Sequence, residues 1–133
     1  LLEAGHLHFG ENKIQEAEEK WVDLKKKYTN IKLHLVGKLQ SNKAKKAVML
    51  FDYIHSLDNI KLATKINQYE KQLNKKTKIF IQVNVANENQ KSGVLLNELD
   101  SFYNYCTLFR SRLKVKHLYS REKTVYKLFI CEI

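Results

Sequence analysis

The 133-residue sequence contains no proline, four glycines, two cysteines and one methionine, and that methionine is Met49. Average usage of about 5% predicts several prolines. With no methionine at the first position either, the chain reads as a piece of something longer. Cys106 and Cys131 allow at most one bridge, which excludes a disulfide-stapled scaffold and suggests a reducing, cytoplasmic setting. No run approaches the ~20 apolar residues of a membrane-spanning helix. The first residues, Leu1-Leu2-Glu3-Ala4-Gly5-His6, lack the basic-then-apolar order of a signal peptide. An apolar fraction of 44% with 29% charged residues is that of a globular chain of about one domain, not a disordered or collagen-like one.

Charge is abundant and one-sided. Twenty-four Lys and Arg against 14 Asp and Glu give a net charge of +10. Residues 1–105 carry 17 basic and 12 acidic side chains, and residues 106–133 carry 7 and 2, so each part holds +5. The composition shifts near Cys106. Basic clusters such as Lys25-Lys26-Lys27, Lys43-Ala44-Lys45-Lys46 and Lys75-Lys76 attract phosphate. They fall on helix faces and ends, where solvated lysines are normal, and no nucleic-acid motif accompanies them. Specific nucleic-acid binding is not expected.

Hydrophobic periodicity switches repeatedly between two residues and three to four. Strands are predicted over 6–9, 31–36, 53–57 and 78–85. Helical stripes follow each: Ile14, Ala17, Trp21, Leu24 and Tyr28; Ala44, Ala47, Val48 and Phe51; Ile60, Ala63, Ile66, Tyr69 and Leu73; Leu95, Leu99, Phe102 and Cys106. Asn12 with Gln15 three residues on predicts a capping box for the first helix. Strand and helix alternate four times with short connections, which predicts an α/β fold of parallel βα units, either an open sheet or a barrel. Neither G-x-G-x-x-G nor G-x-x-x-x-G-K-[ST] is present. No nucleophile elbow supports catalysis. His6 and His8 stand two apart with no third ligand at a suitable spacing, so no metal site is expected.

Each strand is followed by a polar cluster: Gly10-Glu11-Asn12, Gly37 to Lys43, Ser56 to Asn59, and Asn84 to Gly93. Ligands of βα folds sit at that end of the sheet. These clusters also carry a family resemblance. Phe9-Gly10-Glu11-Asn12 with Gln15-Glu16 resembles F-G-E-N-x-x-Q-E of the pyridoxal phosphate homeostasis (YggS/PROSC) family, whose fold is alanine-racemase-like. His34-Leu35-Val36-Gly37-Lys38-Leu39-Gln40-Ser41-Asn42-Lys43 is similar to its H-x-[IV]-G-x-L-Q-S-N-K, and His55-Ser56-Leu57-Asp58 to its H-[ST]-[ILV]-D. Ile81-Gln82-Val83-Asn84 and Glu88 to Gly93 match its I-Q-[VI]-N and E-x-x-K-x-G. Order and spacing agree from residue 1 to about 116.

The resemblance implies part of a TIM-like (β/α)8 barrel, strands two to five of the family fold. It also implies a non-enzymatic role in pyridoxal 5′-phosphate (PLP) homeostasis. Asn12, His34 and Lys91 match positions near the family's cofactor, and Lys91 is the one plausible replacement amine. The family's Schiff-base lysine and phosphate cup belong to segments that the match does not include, so impaired function is expected. Residues 1–116 read as a partial PLP-binding barrel domain. Residues 117–133 read as an unrelated tail, consistent with a frameshift. Half a barrel leaves its outer strands unpaired, which predicts self-association through open edges. An inert remnant and, behind it, a basic nucleic-acid-binding module are the other readings.

Overall fold

The computed structural model of the chain describes residues 4–109, 114–120 and 126–132. Four strands, β1 (His8–Glu11), β2 (Lys32–Leu35), β3 (Tyr53–Leu57) and β4 (Lys78–Asn84), lie side by side in chain order and parallel. Helices α1 (Ile14–Lys27), α2 (Ala44–Leu50) and α3 (Ile60–Leu73) make the crossovers. Crossovers of one hand, always stepping in one direction, put the connecting helices on the same face of the sheet. A short β5 (Val94–Leu95) pairs parallel with β4 and leads into α4 (Leu99–Phe109). The five parallel strands with their helices are the βα architecture that the periodicity predicted.

Alternation along the strands divides the sheet into two faces. Leu33, Leu35, Ile54, Ile79, Ile81 and Val83 are buried and share one core with Ala17, Trp21, Ala47, Val48, Leu62 and Ile66 from the helices. Each fully buried Leu or Ile contributes about 1.5–3 kcal/mol, so this face holds the helices on. The intervening residues His34, Tyr53, His55 and Phe80 point the other way, as strand geometry requires.

Several boundaries differ from expectation. The first strand begins at His8 and includes Gly10 and Glu11, because its register is set by pairing with β2 from His8↔Lys32 to Glu11↔Leu35. Glu11 is then fixed from the helix side: Trp21 Nε1 and Lys20 Nζ both donate to its Oε1, at 2.6 and 2.9 Å. The capping box is absent. Lys13, not Asn12, holds the N-cap of α1, without a side-chain hydrogen bond. Asn12 is committed elsewhere, since its backbone lies directly beneath Gly37. A Cβ on Gly37 would fall 1.9 Å from the Asn12 carbonyl oxygen. The second helix opens with a 3-10 turn over Ser41–Lys43 before α2 proper. Asn59 caps α3, its side chain accepting from the Leu62 N–H at 2.9 Å.

At the amino-terminal end of the strands one residue ties the layers together. Asp52 Oδ2 accepts from the Leu33 N–H at 2.9 Å and from Lys25 Nζ at 2.8 Å. Its own N–H donates to the Leu33 carbonyl, and its carbonyl accepts from the Lys78 N–H, at 3.0 and 2.9 Å. Burial works against its charge, but these donors and the nearby Lys75 outweigh it, and the carboxyl stays below its ordinary range.

Beyond α4 the sheet changes character. β7 (Tyr126–Glu132) pairs antiparallel with β4 and, on its other side, with β6 (Lys114–Ser120), giving the order β1-β2-β3-β4-β7-β6. The edge of β4 expected to be open is therefore paired, and among the described residues the outer strands are β1 and β6. The boundary expected after residue 116 falls within β6.

Replacing Gly37 tests the fit between the first two loops. A methyl group there meets backbone, not a flexible side chain, so Gly37→Ala is expected to cost about 2 kcal/mol or more through enforced backbone movement. A urea titration of both proteins checks it; an unchanged midpoint would show that the two loops separate freely.

Candidate functional site

Because β1 to β4 are parallel, their following loops gather at one end of the sheet. Asn12 is exposed there, immediately after β1. It borders a cleft of about 270 Å³ together with Lys13, Gln15, Lys38, Gln40 and Lys43. The cleft joins the start of α1 to the loop after β2 and is rich in cationic side chains. Lys13 is the most committed of them, paired with Glu16 at 2.7 Å in an exposed contact. The lysines and the unbonded N–H groups of the helix start suit an anion.

Lys91 lies in the loop after β4. Asn84, the last residue of that strand and buried, folds this loop back on itself. Its side-chain amide donates to the Glu88 carbonyl at 2.8 Å and reaches the Lys91 carbonyl at 3.4 Å. Gly93 closes the loop with φ +128°, and a Cβ there would meet Asn84 N at 2.7 Å. The Lys91 ammonium is half-buried and ion-paired with Glu88 at 2.9 Å.

His34 occupies a different setting, on the sheet face away from the helices. Its Nε2 is 2.9 Å from His8 Nδ1, and its Nδ1 is 2.9 Å from His55 Nε2. The three imidazoles form a hydrogen-bonded row from β1 across β2 to β3. Tyr53 stacks on His34 with centroids 4.1 Å apart, and Phe80 stacks on His55 at 4.0 Å. Burial, and for His34 the neighbouring His8, push the His34 pKa down to about 4 against a weaker pull from Asp52. Burial and then His34 do the same to His55, also to about 4. At neutral pH both rings are therefore uncharged.

The three residues picked out by resemblance thus have separate immediate surroundings: Asn12 the lysine-lined cleft, His34 the imidazole row, Lys91 its pair with Glu88. His8, His55, Tyr53 and Phe80 were not anticipated as partners of His34. The visible signal was their shared strand parity, but which residues meet depends on register, and β3 carries an irregularity between Ile54 and Leu57. Among the described residues, no group of three or more His, Cys, Asp or Glu is arranged to hold a metal ion. Among them too, no helix is long and apolar enough to cross a membrane.

Comparison with known proteins follows the same lines. The family profile described as alanine racemase, N-terminal domain, matches residues 1–124. The chain belongs to this family. Within it, the pyridoxal phosphate homeostasis protein of Escherichia coli K12 is 36% identical over 100 residues, which is 74% of this chain and 43% of that protein. The protein of the same name from Synechocystis is 41% identical over 96 residues, 72% of this chain and 44% of that one. The chain spans less than half the length of these relatives. PipY of Synechococcus elongatus solved without PLP superposes with a TM-score of 0.76 at 37% identity, covering 82% of this chain and 50% of that one. The PipY structure with PLP bound gives 0.74 at 36%, with the same coverage. The parallel βα part of the sheet is thus the partial TIM-barrel-like topology of these relatives.

The imidazole row lies on the sheet face opposite the helices, and the row makes stability depend on pH. Both histidines bind a proton more readily unfolded, near 6.5, than folded, near 4. The unfolded state takes up more protons in that interval, so stability is full above about pH 6.5 and falls toward about pH 4. Urea midpoints are expected to drop across this window, with the fall beginning above the range where carboxylates titrate. In His55→Phe the drop should be smaller. Equal pH slopes in the two proteins would contradict the assignment.

Proposed function

We propose that this chain serves in PLP homeostasis, holding PLP as a carrier and not as a catalyst. The observation that carries this reading is the superposition on PipY with PLP bound, at 36% identity over 82% of this chain. The matched relatives are named for PLP homeostasis and not for racemisation, which supports a non-enzymatic role. In this reading residues 1–116 are the PLP-binding part of the barrel, residues 117–133 are a tail outside it, and the protein works in the cytoplasm.

The chain's own residues meet part of what the cofactor needs. A phosphate ester calls for cations and N–H donors, and Asn12, Lys13, Lys38 and Lys43 border a cleft of suitable size. An amine must have its nitrogen free to join an aldehyde, and Lys91 Nζ is instead engaged by Glu88 at 2.9 Å. The fit is therefore to a phosphate-bearing molecule held without a covalent bond. His34 supplies an uncharged ring face, and Lys91 supplies a cation at the same end of the sheet. PLP brings its own chemistry as an electron sink when bound; these residues bind and orient.

Equilibrium dialysis with PLP, followed by borohydride reduction and peptide mapping, tests the proposal. Saturable retention is expected, weakened several-fold in Lys38→Gln. Trapping at Lys91 is expected to rise in Glu88→Gln, which removes the carboxylate set against its Nζ. Absence of saturable retention, with label scattered over surface lysines, would favour the inert remnant. Binding to nucleic acid that vanishes at physiological salt without sequence preference would mark the basic surface as nonspecific.

The exposed edge of β1 suits self-association by strand addition. Sedimentation velocity is expected to show concentration-dependent oligomers; a monomer across the range would remove this element of the proposal.

A further inference from the structure

The end of the sheet opposite to Asn12 and Lys91 holds a second cluster of charged groups, around the carboxyl terminus of α2. Lys75 Nζ donates to the Met49 carbonyl at 2.9 Å and to the Phe51 carbonyl at 3.0 Å. Lys25 Nζ donates to the Leu50 carbonyl at 3.0 Å and to Asp52 at 2.8 Å. Asn74 at φ 47° turns the chain after α3, and Glu70 fixes that turn by accepting the Thr77 N–H at 2.7 Å. Lys75 is thereby delivered to α2 by a rigid turn, half-buried and not free in solvent.

The two lysines differ in what they require. Lys25 serves a carboxylate, which calls for an ammonium. Lys75 bonds to two neutral carbonyls, and a neutral amine has two N–H groups. It keeps both bonds without a proton to spare, and its lone pair takes the remaining tetrahedral direction. Lys25 from α1 and Lys32 from β2 oppose its charge, while Asp52 beside α2 and Glu70 from α3 favour it. Burial and the two cations prevail, lowering the Lys75 pKa to about 8.

We propose that Lys75 is an acylation site, whose amine takes acyl groups from small acyl phosphates. The nitrogen lone pair attacks the acyl carbon, the carbon–oxygen bond to phosphate breaks, and phosphate leaves with the electron pair. The amine proton goes to solvent, and an amide remains. Lys25 and Lys32 complement the charge of the incoming and departing phosphate. The product keeps one N–H for one of the two carbonyls and loses its basicity.

At pH 7.5 roughly a quarter of such amines are neutral, against about one in a thousand ordinary lysines. Nucleophilicity falls with basicity, as it does for thiols, which trims the advantage to about tenfold. The test is incubation of the full chain with acetyl phosphate, with initial rates at each lysine read by peptide mass spectrometry. Acetylation of Lys75 is expected about tenfold faster than that of the exposed Lys61 and Lys76, levelling off above about pH 8 while theirs continues to rise. The preference should vanish in urea. Lys32→Gln, on an exposed strand position, should move the Lys75 profile to higher pH and slow it at pH 7.5. A Lys75 rate no greater than those of Lys61 and Lys76, or one still climbing to pH 10, would overturn the proposal.

Discussion

The carboxylate of Asp52 is the contact on which the arrangement of layers rests. It binds a backbone N–H of β2 and the ammonium of a helix at once, while its own peptide group bridges β2 to β4. Helix-to-sheet packing by apolar contact alone is permissive about rotation and sliding, because hydrophobic burial has no direction. A charged acceptor with two fixed donors is directional. The apolar core supplies the bulk of the stability, and Asp52 selects one way of assembling it. An uncompensated carboxylate at this depth would be costly, so the same residue penalises alternatives in which Lys25 is elsewhere.

The sheet is asymmetric in chemistry as well as in packing. Toward the helices it presents aliphatic side chains, and on its other face it presents rings: His34, Tyr53, His55 and Phe80. In a TIM-like barrel that second face looks inward, so the interior would be polarisable and hydrogen-bonded, not a plain aliphatic layer. β7, running antiparallel along β4 from Ile79↔Cys131 to Asn84↔Tyr126, occupies the edge where a further parallel strand would continue the barrel. The βα part and the terminal hairpin therefore follow two different sheet logics within a single hydrogen-bonded surface.

Much of the fold could be read from periodicity. The stripes of α1 and α3 predicted their extents nearly to the residue, since an amphipathic helix writes its buried face into every third or fourth position. β4 was equally plain. The first strand was harder, because Gly10 looks like a stop and is in fact paired in register with His34 of β2. The capping role expected of Asn12 failed for a tertiary reason: its carbonyl is pinned beneath Gly37, a constraint arising 25 residues later in the chain. The candidate site divides similarly. Asn12 and Lys91 were singled out by motif, and both stand at the loop end of the sheet. The partners of His34 were not found, because adjacency across strands depends on register and no local pattern encodes it. Lys75 resembled any other surface lysine until the turn at Asn74 delivered it to α2.

The row of imidazoles has a property that no single ring possesses. An uncharged imidazole carries one proton for two nitrogens, and His34 has a ring nitrogen on each side of it. If it gives its proton to His55 it must receive one from His8; if it gives to His8 it must receive from His55. The three rings therefore share a single polarity, pointing toward β3 or toward β1, and no ring reverses without the other two. Whatever approaches either end meets a donor or an acceptor according to the state of the whole row, so a contact at the β1 edge is felt at β3 without any movement of the backbone.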